Sequence, residues 1–157
     1  MVDKIRVIAL GSSHGDDQAA WWAANRLRAD DSLAWDIVTL EEATQIVDHL
    51  EDCEQVLIMD ACSSGAAPGT ITRLAWPDER LRKRGGGSTH GMSVGEALCL
   101  AERLGRLPHK VTLFGIEIEQ TSPGAPLSPT VEQALPGLMR ELMRECHAGE
   151  QVQGPRK

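Results

Sequence analysis

The sequence predicts an α/β fold with a largely parallel sheet and helices on both faces. Short β-branched or apolar runs alternate with stretches of helical periodicity along the chain. One of these runs, Gln55 to Met59 (QVLIM), is apolar at four consecutive positions from Val56 on, as expected of a strand covered on both faces. Strands separated by helices pair in parallel because parallel neighbours need a crossover connection. At 157 residues and 41% hydrophobic, the chain can bury one core and is short for two. Residues 1–147 are therefore expected to form one domain, with 148–157 as a polar tail.

The first strand is expected from Ile5 to Leu10, ending at Gly11, after which Asp16 and Asp17 open an Ala-, Trp- and Leu-rich helix up to Arg28. Trp35 to Leu40 reads as the second strand, and Ala43 to Leu50 as a short helix with Ile46, Val47 and Leu50 on one face. The third strand, Gln55 to Met59, places Asp60 at its C-terminal end, before the small-residue loop ACSSGAAPG. Thr70 to Trp76 alternates as a half-exposed edge strand does. Arg80 to Gly87 (RLRKRGGG) joins a basic run to three glycines and is expected to be a mobile surface loop, either simply solvated or a handle for an acidic partner. Ser88-Thr89-His90 follows, then a helix from Ser93 to Leu104 with Val94, Ala97, Leu98 and Ala101 as its apolar stripe. Lys110 to Ile118 is the last strong strand, and Ser128 with Pro129 and Glu132 marks the start of a helix ending near Cys146.

Composition removes several function classes. A formal net charge of -7 argues against nucleic acid as a partner, since a binder needs a basic surface to neutralise phosphates. No stretch approaches the roughly 18 apolar residues of a membrane helix. The opening MVDKIRVIALGSSHGDDQ reads as a strand rather than a signal peptide, so a cytoplasmic protein with no membrane partner is expected. Cys53, Cys62, Cys99 and Cys146 contain no CxxC pair, and reduced thiols are expected. GSSHGDD lacks the glycine spacing of a dinucleotide fingerprint and puts two carboxylates where a phosphate would sit, so no organic cofactor is expected.

In parallel sheets ligands bind at the carboxyl ends of strands. The polar groups expected there are Asp16-Asp17, Asp60 and His90. If the first and third strands are neighbours, Asp17 and Asp60 emerge at one edge of the sheet. Two carboxylates and an imidazole suit a borderline metal such as nickel, zinc or ferrous iron, leaving positions for a substrate or an activated water. Each residue also has a plainer reading. Asp16 and Asp17 suit a helix N-terminus, Asp60 an Asx-type turn, and His90 an ordinary loop. His14 stands close enough in sequence to join a metal at Asp17, or to be solvated. Pairing His90 with Ser88, Cys62 or Cys99 as base and nucleophile has little support, there being no GxSxG elbow.

Four segments, IRVIALGSSHGDDQAAW, QVLIMDACSSGAAPGTI, STHGMSVGEALCLAERLG and VTLFGIEIEQTSPGAPLSPTVEQALP, resemble the hydrogenase maturation endopeptidase family in order and spacing. The resemblance implies a three-layer αβα sandwich around a twisted, mostly parallel five-stranded sheet. It implies an endopeptidase of aspartyl or metallo type that removes the C-terminal extension of a nickel-iron hydrogenase large-subunit precursor. Nickel, supplied by that substrate, would be the recognition element, and the family's metal-contacting positions fall on Asp17, Asp60 and His90, which are also the catalytic candidates. The alternative is a catalytically silent relative that binds the precursor as an assembly chaperone. The opening loop GSSHGDDQ departs from the family pattern: it is shorter and lacks the usual Gly-Asn pair. Asp17 also stands where a glutamate is often found, which shortens the reach by about 1.5 Å.

Overall fold

A computed structural model of the protein describes residues 4–83 and 92–152. β1 (Ile5–Leu10) leads through a 3-10 turn (Gly15–Gln18) into α1 (Ala19–Arg28), followed by β2 (Asp36–Leu40) and a 3-10 segment (Ala43–His49). β3 (Gln55–Cys62), β4 (Ile71–Ala75), α2 (Glu79–Lys83), α3 (Val94–Arg103), β5 (Lys110–Glu117) and α4 (Pro129–Val152) complete the order. The five strands form one sheet in the order β2-β1-β3-β5-β4. Every pairing is parallel except that of β4 with β5.

The pleat divides the core. Val7 and Ala9 of β1, Leu57 and Met59 of β3, and Phe114 and Ile116 of β5 face α1 and α4. Ile8 and Leu10, Val56 and Ile58, and Val111 and Leu113 face the 3-10 segment, α2 and α3. The two clusters fill the spaces between the sheet and the helical layer on either face, as expected of a three-layer sandwich. α1 buries Ala19, Ala20, Ala23, Ala24 and Leu27, and alanines let a helix axis lie close to a sheet. Val131, Leu135, Leu138, Leu142 and Cys146 make the matching buried stripe of α4.

Three expectations need adjusting. β3 continues three residues past Met59, so Asp60 lies within the strand, opposite Gly115, rather than beyond its end. α4 runs to Val152, past Cys146; Ala148, Glu150 and Gln151 are adequate helix formers, and the strong stop signals come only at Gly154-Pro155. Pro136 sits on the exposed side of α4, so the carbonyl it leaves unbonded can be solvated.

The basic run is not wholly a loop. Glu79–Lys83 is helical, started by Asp78, whose carboxylate accepts from the Arg80 backbone N–H at 2.8 Å, and anchored by buried Leu81. The remainder of the expected loop, from Arg84 to Gly87, lies outside the described residues. Arg82 lies 4.8 Å over the Trp76 ring, and Trp76 donates to Glu102 of α3 at 3.0 Å, fastening α2 to its neighbour.

α3 starts where expected, with the Ser93 hydroxyl accepting from the Glu96 N–H at 3.1 Å. Its Gly95 packs directly under α2: a Cβ there would overlap the Leu81 carbonyl oxygen. Gly→Ala in a helix ordinarily gains about 1 kcal/mol, but backbone overlap of this kind costs more. Gly95→Ala is expected to destabilise the protein by about 1–3 kcal/mol, read as a lower midpoint in a thermal or urea melt.

Candidate active site

The strand order reverses between β1 and β3, because β1 leads outward to β2 on one side and β3 to β5 on the other. In parallel sheets the crevice at such a switch point, beyond the carboxyl ends of the strands, is where ligands bind. A cavity of about 450 Å³ opens there on the α3 side. Its apolar floor includes Leu10, Leu74, Leu81 and Leu113, and its polar wall includes Asp17, Glu41, Glu42 and Asp60. No lysine or arginine is among the described residues that line it.

Asp60 follows Val56 and Ile58 on the α3-facing side of β3. Burial and then the negative charge of Asp17, opposed by a hydrogen bond from the Ala61 backbone, push its carboxyl up to about 8. A carboxyl in this state holds its proton near neutral pH, and a cation binding there would displace that proton to solvent. Across the strand, Gly115 contributes no side chain; a Cβ there would meet the Cys62 Sγ at 3.1 Å.

Asp17 is held in the 3-10 turn after β1. Its N–H donates to the His14 carbonyl at 3.0 Å, and its own carbonyl accepts from Ser12 at 3.1 Å. Gly11 permits this, since a Cβ there would lie 2.5 Å from the Asp17 carbonyl oxygen. The adjacent Asp16 does something else. Fully buried, it accepts from the backbone N–H groups of Glu119, Gln120 and Ser128 at 2.8, 2.9 and 2.7 Å and from the Ser128 hydroxyl at 2.8 Å. Burial alone would raise its pKa, but these hydrogen bonds outweigh it and hold the carboxyl below the usual range. Asp16 thus ties the turn carrying Asp17 to the segment between β5 and α4.

The site residues expected from sequence therefore divide. Asp17 and Asp60 both line the cavity. His90 and Ser88 lie outside the described residues, and no group of three metal-binding side chains comes together among the described ones. His14 is exposed and does not line the cavity. Cys62 does line it, and its thiol donates to Glu117 at 3.4 Å; Cys99 does not. Sequence reading missed Glu117, 3% exposed, whose carboxylate also accepts from Ser64 and Gly65. The signal was available: it continues the inward-facing row Val111, Leu113, Gly115, where a charge is out of place unless hydrogen-bonded.

Fold and cleft together define an α/β domain with a carboxylate-lined crevice at the switch point of a mostly parallel sheet. Residues 41–145 match the family model described as hydrogenase maturation protease. The hydrogenase expression/formation protein HupD of Rhodobacter capsulatus is 25% identical over 153 residues, covering 91% of this chain and 72% of that protein. Among solved structures, the hydrogenase maturating endopeptidase HybD from E. coli superposes with a TM-score of 0.75 at 22% identity, over 93% of each chain. The [NiFe] hydrogenase maturation protease HybD from Thermococcus kodakarensis gives 0.66 at 18% identity, over 90% of this chain and 97% of its own. The chain belongs to the hydrogenase maturation protease family, and by that membership is a peptidase. No helix among the described residues is long and apolar enough to cross a membrane.

Proposed function

We propose that this protein is the cytoplasmic endopeptidase that removes the C-terminal extension of a nickel-loaded nickel-iron hydrogenase large-subunit precursor. Asp17, Asp60 and His90 hold the substrate's nickel and so select the loaded precursor. The observation that carries this reading is the pairing in one cleft of two carboxylates, Asp17 from the turn after β1 and Asp60 from β3, with Asp60 pushed up to about 8 by burial and then by the charge of Asp17. Two carboxylates that repel each other in a cleft without lysine or arginine among its described lining favour a cation between them.

The substrate's metal supplies Lewis-acid polarisation of the scissile carbonyl. The chain's own contribution is to fix the peptide beside it and to move a proton. A carboxylate of the Asp17–Asp60 pair takes a proton from the attacking water as the new C–O bond forms. The proton then passes to the departing amine as the C–N bond breaks, leaving a new carboxyl terminus and a free extension.

Binding of Ni²⁺ alone tests the ligand assignment. An Asp60 proton must leave, so affinity is expected to rise with pH by up to about tenfold per unit until pH is near 8. A histidine of ordinary pKa, about 6.5, would stop contributing earlier. Calorimetry in buffers of different ionisation enthalpy should show about three-quarters of a proton released per Ni²⁺ from this carboxyl at pH 7.5, and none from this source in Asp60→Asn. An affinity that is flat above pH 7 would count against Asp60 as a ligand.

A further inference from the structure

The loop that leaves β3 forms one wall of the cleft, with Cys62, Ser63 and Ser64 on the cavity. Its sequence, SSGAAPG from Ser63 to Gly69, offers no large apolar side chain to anchor it, and Ser63, Ser64 and Gly65 are exposed. A segment of this composition is costly to order, because its small residues lose backbone freedom without burying apolar surface in return. What orders it comes from β5. Glu117 Oε1 accepts from the N–H groups of Ser64 at 2.7 Å and Gly65 at 3.0 Å, while Oε2 accepts from the Ser64 hydroxyl at 2.7 Å and the Cys62 thiol at 3.4 Å. The backbone around it is tied as well, the Ile118 N–H donating to the Cys62 carbonyl at 3.0 Å. Both carboxylate oxygens are committed to the loop and not to a ligand in the cavity.

From this geometry we infer that Glu117 is a positioning residue, holding Cys62–Gly65 as a preformed wall against which the substrate's extended peptide lies beside Asp60. The inference rests on the reading given under Proposed function. A wall ordered in advance lowers the entropy lost when the peptide docks, so Glu117 acts on substrate binding through the loop and not on the metal. Burial alone would raise the Glu117 carboxyl, but its hydrogen bonds from Ser64, Cys62 and Gly65 hold it below the usual range.

The test compares full-length wild type with Glu117→Gln, Glu117→Asp and Ser64→Ala, using nickel-loaded precursor for processing and Ni²⁺ alone for metal affinity. Gln keeps the shape but turns an NH₂ group toward N–H and O–H donors. We expect it to raise KM about tenfold with kcat within threefold, to leave Ni²⁺ affinity within twofold, and to speed amide hydrogen exchange across residues 62–65. Glu117→Asp should recover part of the loss. Ser64→Ala, which leaves Glu117 in place, should raise KM about threefold, and adding it to Glu117→Gln should have less than the multiplied effect. A KM within twofold of wild type in both Glu117→Gln and Ser64→Ala, or a loss that falls on kcat and Ni²⁺ affinity instead, would overturn the inference. Should Glu117→Gln fail to fold, Ser64→Ala decides by the same KM criterion. Failure of wild type itself to bind or process the precursor would instead overturn the functional reading, and this inference with it.

Discussion

Asp60→Asn is expected to abolish processing of a nickel-loaded precursor while making the substrate-free protein more stable at pH 8. The two effects share a cause. The carboxyl proposed as a ligand is held in a place where its charge is unfavourable, pushed up to about 8 by burial and by Asp17. Removing a group proposed to touch the substrate's metal should lower kcat/KM by at least about 100-fold, or about 2.7 kcal/mol of transition-state stabilisation. For stability the sign follows from proton counting. An unfolded Asp titrates near 3.9, so between about pH 4 and 8 the folded state binds more protons, and stability falls as pH rises through that window. The cleft is open to solvent, which reduces the penalty well below the full shift. A gain of roughly 2 kcal/mol at pH 8 for Asp60→Asn, or about 4–8 °C in Tm, is the expected size. A variant less stable than wild type at pH 8 would show that something holds Asp60 charged.

Asp16→Ala is expected to produce the opposite result. Its carboxylate satisfies three backbone N–H groups and a hydroxyl in a fully buried position. Truncation strands those donors, at a cost of about 3–5 kcal/mol, so Tm should drop by roughly 6–12 °C or more. Activity should fall as well, because the turn that aims Asp17 loses its tie to the β5–α4 segment. The pH dependence is reversed relative to Asp60. Asp16 is held below its ordinary range, so its contribution is complete above the unfolded value near 3.9 and is lost as pH falls through the folded one. Wild type should therefore lose stability on both sides of about pH 4–5, steeply in acid through Asp16 and gradually toward pH 8 through Asp60. Thermal melts of the three proteins across pH 3 to 9 would separate the two residues.

Neighbouring aspartates with opposite roles show where sequence reading reaches its limit. The strands and the parallel order were legible because β-branched runs such as IRVIAL and QVLIM leave few alternatives, and the helices because stripes such as Val94, Ala97, Leu98 and Ala101 recur at helical spacing. Asp17 and Asp60 could be placed at one sheet edge on the condition that β1 and β3 are neighbours, and the two strands do pair. Which of Asp16 and Asp17 faces the cleft could not, since it depends on a turn of four residues and on donors more than 100 positions away in sequence. Glu117 escaped notice because its partners lie at the end of the neighbouring strand β3 and on the loop beyond it, which has no pattern of its own. The extension of β3 past Asp60 was hidden too, since only the register with β5 reveals that Asp60, Ala61 and Cys62 remain paired.

In the proposed function, the Asp17–Asp60 cleft cuts a precursor selected by its nickel. Incubating the purified protein with nickel-loaded large-subunit precursor, and in parallel with the nickel-free form, while following the precursor's C-terminal mass, tests it most directly. Loss of one defined C-terminal peptide from the loaded precursor only, abolished by Asp17→Ala, Asp60→Asn and His90→Ala, is the predicted result. Stable binding without any change in mass, or cleavage that ignores nickel and survives those substitutions, would contradict it.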